Sequence, residues 1–186
     1  MYAPRDSGKI VAPAGRVLVS ACLLGIRCRY DGRDALRQEI VDLRRGGAIV
    51  AVCPEELGGL GTPRPPAEIE SLAGAARRPP EIPPELGPFA EVPREAQEGE
   101  SDANEVWAGR ARVLAADGSD VTDAYVRGAI LTARIARDTG VTRAYLKARS
   151  PSCGSGTLSR RGRRVAGDGV TAWLLKRMGI EVVSVD

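Results

Sequence analysis

Four cysteines and no histidine define the chemistry open to this 186-residue chain. Without an imidazole there is no Ser-His-Asp or Cys-His catalysis, no His-ligated zinc and no His general base. Any reaction must run on Cys, Ser, Tyr, Asp, Glu, Lys or Arg, or on a cofactor. Three cysteines stand in loop-forming sequences: Cys22-Leu-Leu-Gly25, Cys53-Pro-Glu55 and Ser150-Pro-Ser-Cys153-Gly-Ser-Gly156. Gly and Pro beside a thiol allow close backbone approach and fix its direction, as cluster or anion loops require. For any one cysteine the competing reading is a small buried hydrophobe. Structural zinc sites show C-x(2-4)-C knuckles, whereas five residues separate Cys22 from Cys28 and the others stand alone. Disulfide redox chemistry prefers C-x-x-C, which is missing. An iron-sulfur cluster fits better, because its irons accept thiolates from separate loops. Three thiolates would leave one iron of a 4Fe-4S cluster without a protein ligand, and an open iron is a Lewis acid. Cys28 is open between a fourth ligand, a nearby redox-active thiol and a buried residue.

The elements that must bring these residues together follow from pattern. Arg16 to Ser20 reads as a buried strand ending at Cys22, and Ala48 to Val52 as a second ending at Cys53. Between them Asp34 is a plausible N-cap for a helix carrying Leu36, Ile40 and Leu43, stopped by Gly46 and Gly47. Residues 54–104, rich in Pro, Gly and charge, read as loop with short helical pieces. Val106, Trp107 and Arg110 to Ala115, before the turn signal Asp117-Gly118, suggest a small antiparallel element. Thr122 opens a long helix with Val126, Ala129, Ile130, Ala133 and Ala136 on one face, closed by Gly140. Thr142 to Ala148 reads as a strand running into Ser150 and Cys153. Asp168 caps a helix carrying Val170, Trp173, Leu174 and Met178, and Ile180 to Val185 is the last strand. Alternating strands and helices give an α/β domain, a single doubly wound, mostly parallel Rossmann-like sheet with helices on both faces. Its ligands bind beyond the carboxyl ends of the strands. Cys22, Cys53 and Cys153 each follow a strand, so topology alone draws them to one edge.

Composition narrows the partners. The net charge of +3, with 24 of 27 basic residues Arg, supports neither a dedicated DNA binder nor an acidic tail. Seven aromatic residues are too few for a base-stacking platform. No run approaches the roughly 18 apolar residues of a membrane span. Val19-Ser-Ala-Cys22 imitates a lipoprotein cleavage site, but Pro13, Gly15 and Arg16 interrupt the apolar run that would precede it. The expected address is the cytoplasm. Residues 1–15 are expected to form a loose arm, and residues 16–186 one domain with a Pro/Gly-rich insertion at about 71–105.

Val19-Ser-Ala-Cys-Leu-Leu-Gly25, Cys28-Arg-Tyr-Asp-Gly32, Val52-Cys-Pro-Glu-Glu-Leu-Gly-Gly59, Thr62-Pro-Arg-Pro-Pro-Ala-Glu68, Ser150-Pro-Ser-Cys-Gly154 and Gly167-Asp-Gly-Val-Thr171 resemble the signature blocks of the thiouracil desulfidase (TudS-type) family. The blocks keep the family's order across residues 16–186. The resemblance implies a 4Fe-4S cluster on Cys22, Cys53 and Cys153, and removal of sulfur from a thiolated nucleobase. Two departures from the family pattern border the expected pocket: the longer segment from about Ser71 to Glu105, and a shorter, Arg-rich loop after Gly154.

In the expected reaction the sulfur of a small thiolated pyrimidine such as 2-thiouracil binds the open iron, and water attacks the carbon. The products are the oxo base and sulfide. Glu55 is the natural proton handler, with a helix N-terminal charge as the bland alternative. Ser150 could orient the water or the base, or simply form a turn. Asp31, Arg64, Glu68 and Ser152 are candidates for binding the substrate; Asp31, Arg64 and Glu68 are equally readable as turn or ion-pair residues. Two other classes remain. Arg160, Arg161, Arg163 and Arg164 suggest an RNA-binding or RNA-modifying protein acting on thiolated tRNA, against a solvated loop. The thiols also permit a non-catalytic zinc or cluster scaffold.

Overall fold

The computed structural model describes residues 15–45, 47–87 and 103–186. Residues 1–14 of the expected arm at 1–15, the Gly46 half of the first helix stop and residues 88–102 of the expected insertion lie outside them. In chain order the elements are β1 (Val17–Ser20), α1 (Gln38–Asp42), β2 (Ile49–Val52), α2 (Pro54–Leu57), β3 (Ala67–Ser71), α3 (Ala103–Trp107), β4 (Ala111–Ala115), α4 (Thr122–Thr139), β5 (Arg143–Lys147), β6 (Thr157–Arg160), β7 (Arg163–Ala166), α5 (Val170–Arg177) and β8 (Glu181–Val185).

Four strands form a parallel sheet in the order β2-β1-β5-β8. β1 is buried along its whole length, which is why it reads as an unbroken apolar run. Its residues alternate between two cores. Leu18 joins Ala144 and Leu146 of β5 beneath α4 and α5, through Ala129, Ala133, Leu174 and Leu175. Val17 and Val19 point the other way, with Ile40, Leu43, Tyr145 and Val185. Helices therefore cover both faces, as the alternating pattern requires. From β1 the chain steps outward to β2 and later returns on the other side of β1 at β5. That reversal creates the switch point at which ligand crevices form.

Local starts differ from expectation where side-chain chemistry favours a turn. Asp34 accepts from the Leu36 N–H at 3.2 Å, and the helix begins only at Gln38. Asp168 accepts from the Gly156 N–H and Lys176 Nζ, both at 2.7 Å, while Gly169 holds the N-cap position of α5. Val106 and Trp107 are helical, the indole of Trp107 stacking on Trp173 at 5.7 Å. The antiparallel partner of β4 is β3, inside the stretch read as loop. The Arg-rich segment after Gly154 is an ordered hairpin, β6 and β7, turning at Arg161-Gly162 with φ of 48° and 72°.

α2 and α4 meet backbone to backbone. A Cβ on Gly128 would stand 1.9 Å from the Pro54 carbonyl oxygen, and one on Gly58 2.1 Å from that of Ala124. This contact sets the depth of α2, whose first turn carries functional candidates. Gly128→Ala is expected to destabilise the protein by at least about 1–3 kcal/mol, the usual cost of overpacking. Thermal unfolding checks it, and an unchanged midpoint would disprove the close approach.

Candidate active site and metal centre

A cavity of about 450 Å³ opens at the carboxyl edge of the sheet, within the usual range for small-ligand sites. All four cysteines line it, and all four are free. Cys22 lies in the 3-10 turn Ala21–Leu24 after β1, Cys53 directly follows β2, and Cys153 lies six residues beyond β5. The three strands are neighbours in the sheet. The juxtaposition expected from topology is thus present, and Cys28 joins it from the loop after the 3-10 turn.

Cys22, Cys28 and Cys153 are buried and Cys53 is half-buried. Burial pushes Cys153 up to about 12, against hydrogen bonds from the hydroxyls of Ser20 and Ser152 that favour its thiolate. Hydrogen bonding with Cys22 pushes Cys28 up to about 12, partly opposed by its bond with Cys53. The bond to Cys28, and then burial, also raise Cys53. Free thiols at Cys28, Cys53 and Cys153 stay protonated near neutral pH, so a metal that binds them must displace protons.

Glu55 stands beside this group on the first turn of α2. Its Oε2 accepts from Arg64 Nε at 2.7 Å, and Arg64 Nη2 lies 2.6 Å away. Its Oε1 receives the Ser150 hydroxyl at 3.4 Å. Tyr125, from α4, adds a hydrogen bond to Glu55; burial, and next that carboxylate, raise the phenol well above its ordinary value. Ser150 Oγ in turn accepts the N–H groups of Ser152 and Cys153, each at 3.1 Å. One hydroxyl therefore forms the turn that aims Cys153, the turn-forming reading, and also touches Glu55.

The other candidates separate by position. Arg64 lines the cavity, but its guanidinium is occupied by four hydrogen bonds, to Glu55, Gly61, Thr62 and the Cys28 carbonyl, and by the ion pair of Nη2 with Glu55. It orients Glu55 and the Cys28 loop. Arg64 and Glu55 expose only 8% and 14% of their side chains. Arg64→Ala would strand the carboxylate, and a loss of about 3–5 kcal/mol is expected in chemical denaturation. A surface-like loss below about 1 kcal/mol would show that the pair is solvated. Glu68 also lines the cavity, and its Oε1 holds the Arg161 N–H at the hairpin tip at 2.7 Å. Asp31 is outside the lining. It closes the Arg29-to-Arg33 turn by accepting from the Arg33 N–H at 3.1 Å and Arg29 Nη2 at 3.3 Å. Burial works against its charge, but these partners hold its carboxyl below the usual range. Ser152, 1% exposed, is outside the cavity lining; its hydroxyl meets the Thr171 hydroxyl at 2.9 Å as well as the Cys153 thiol. Its carbonyl accepts from the N–H groups of Thr171 and Ala172, which seats α5 on the Cys153 loop.

A model of the family described as 2-thiouracil desulfurase matches residues 17–83 and 80–186. The chain belongs to this family. Within reach of the family's fold, the chain is 34% identical to a solved structure described as a 4Fe-4S-dependent thiouracil desulfidase, TudS, with a TM-score of 0.65. That match covers 91% of this chain and 90% of the other. The uncharacterized protein YbbK of Bacillus subtilis (strain 168) is 37% identical over 171 residues, 90% of this chain and 94% of its own length. No described helix is long and apolar enough to cross a membrane.

Several lining residues of this desulfurase-family site had no sequence signal pointing to them. Tyr125 sits next to the apolar face of α4, where a phenol looks like packing. Lys147 ends β5; burial pushes its ammonium down, against Asp186 at 3.6 Å. Arg29 lines the cavity with its Nε buried and without a hydrogen-bond partner. Ser20 reads as the end of an apolar strand, yet its hydroxyl serves both Cys153 and the Lys147 N–H, the latter at 3.0 Å.

Proposed function

We propose that this protein removes sulfur from a small thiolated pyrimidine such as 2-thiouracil, hydrolytically and with the help of a 4Fe-4S cluster, in the cytoplasm. The observation that carries this reading is the convergence of Cys22, Cys53 and Cys153 from three adjacent strand ends on one cavity that also holds Glu55. Soft donors on separate loops suit a cluster, and the similarity to a 4Fe-4S-dependent desulfidase supports it. Such a cluster would supply Lewis acidity for a thiocarbonyl sulfur.

The chain's own groups supply the rest. Cys22, Cys53 and Cys153 would hold the cluster. Glu55 takes the proton from the attacking water, its carboxylate kept in one orientation by Arg64 and Tyr125. Ser150 bridges Glu55 and the Cys153 turn, so the proton handler and one ligand keep a fixed relation. The antiparallel β3, through Glu68, anchors the β6-β7 hairpin that walls the cavity. The hydrolytic assignment is tested in heavy-oxygen water under anaerobic conditions: the label should appear in the oxo base, with one sulfide released per base. Unlabelled product would overturn it.

The alternative of thiolated RNA gains little from the hairpin. Arg161 engages Glu68 and Glu70 at the tip, and Arg164 lies near Asp186. No salt-dependent mobility shift with tRNA is expected; a shift that weakens steeply with salt would favour the alternative.

A further inference from the structure

We propose that Cys28, Cys53 and Glu56 form a second metal site, for one divalent ion of the zinc type, sharing Cys53 with the cluster triad and therefore exclusive with it. The exclusivity rests on the cluster reading above; the site itself does not. The thiol sulfurs of Cys28 and Cys53 and a carboxylate oxygen of Glu56 lie within 4.8 Å of one another. Tetrahedral zinc, with sulfur at about 2.3 Å and oxygen at about 2.0–2.2 Å, sets its donors roughly 3.5–3.8 Å apart. Small side-chain rotations close that difference.

The surroundings are built to hold such an ion. Cys53 is the N-cap of α2 and Glu56 its third residue, so both project from one turn. The Glu56 Oε1 atom accepts from the Thr62 hydroxyl at 2.8 Å, which orients the carboxylate from behind. The Cys28 carbonyl is pinned by Arg64 Nη2 at 3.0 Å and meets Cys53 Sγ at 3.6 Å. Cys28 is 2% exposed, whereas Glu56 faces solvent and closes the outer side. The donor set is two soft thiolates and a carboxylate, with the fourth position left to water. Binding is balanced as one divalent ion in and two thiol protons out. Zinc binds such donors more tightly than ferrous iron does. In the cluster-free chain it would therefore take Cys53 first and block cluster assembly. Cys153 has no part in this grouping.

The test uses the full chain, freed of metal anaerobically and titrated with zinc or with cobalt(II) as a visible reporter. One equivalent should bind, with thiolate-to-cobalt charge-transfer absorbance. Cys28→Ser and Glu56→Gln should each weaken binding by about tenfold or more, while Cys153→Ala leaves it unchanged. Zinc-loaded protein should then fail to gain cluster absorbance on reconstitution until a chelator is added, and Cys28→Ser should assemble the cluster despite zinc. Cobalt binding that ignores Cys28→Ser, or is lost with Cys153→Ala, would overturn the site. So would loss of the cluster in metal-free Cys28→Ser, which would make Cys28 a cluster ligand. A wild type that takes up no cluster would defeat the cluster reading alone, since the cobalt titration still decides the site.

Discussion

Cys153→Ala is expected to lower sulfide release from 2-thiouracil by more than about a hundredfold, beyond the ten- to hundredfold typical of losing an outer-shell partner of a metal site. The residue is buried, and the turn that aims it is held by Ser150 Oγ and by α5, whose backbone N–H groups reach the Ser152 carbonyl. None of those contacts uses the sulfur. Alanine therefore keeps the turn and leaves a small gap worth about 1 kcal/mol, well short of unfolding a domain. What is lost is one of three thiolates, and the two left offer too few ligands. Iron analysis, absorbance and sulfide release, measured with circular dichroism on the same sample, separate loss of cluster from loss of fold. Full activity in the variant would remove Cys153 from the ligand set.

The second large effect is expected from Glu55→Gln. The amide keeps the shape of the carboxylate, and its one oxygen can still accept from Arg64 while its NH2 faces the Ser150 hydroxyl, but it cannot take up a proton at neutral pH. Sulfide release should fall by about 10²–10⁴, the usual contribution of a positioned general acid or base. Cluster absorbance should survive, because no thiol is touched. A modest drop in stability accompanies it, since the buried guanidinium of Arg64 loses its charged partner. Activity within about threefold of wild type would assign proton transfer to another group.

These two residues were legible in the sequence for different reasons. Cys153, Cys22 and Cys53 could be placed because parallel strands buried on both faces read as apolar runs, and a doubly wound sheet sends their ends to one edge. Glu55 followed from Cys53 by two residues and from the absence of histidine. β3 was not legible: Ala67-Glu-Ile-Glu-Ser71 has one strongly apolar side chain, follows Pro65-Pro66, and becomes a strand through pairing with β4. The β6-β7 hairpin was hidden by its charge, and its order comes from Glu68 and the Arg149 carbonyl rather than from its own composition. Asp34 and Asp168 carry the residue type of a helix cap, but each found nearer partners. Ser152 and Asp31 illustrate the limit for sites. Each lies beside a lining residue but is itself taken up by structural partners, Ser152 by Thr171 and Asp31 by Arg29 and Arg33. Tyr125 and Lys147 reach the cavity from elements more than fifty residues from Cys53 in the chain, a relation visible only in the folded molecule.

The most direct measurement is the iron, zinc and acid-labile sulfide content of the anaerobically reconstituted wild type, followed on the same sample by its release of sulfide from 2-thiouracil. About four irons and four sulfides per chain are expected from the cluster type, with turnover to uracil. Zinc without iron or labile sulfide, or a fully loaded cluster that leaves 2-thiouracil unchanged, would contradict the assignment.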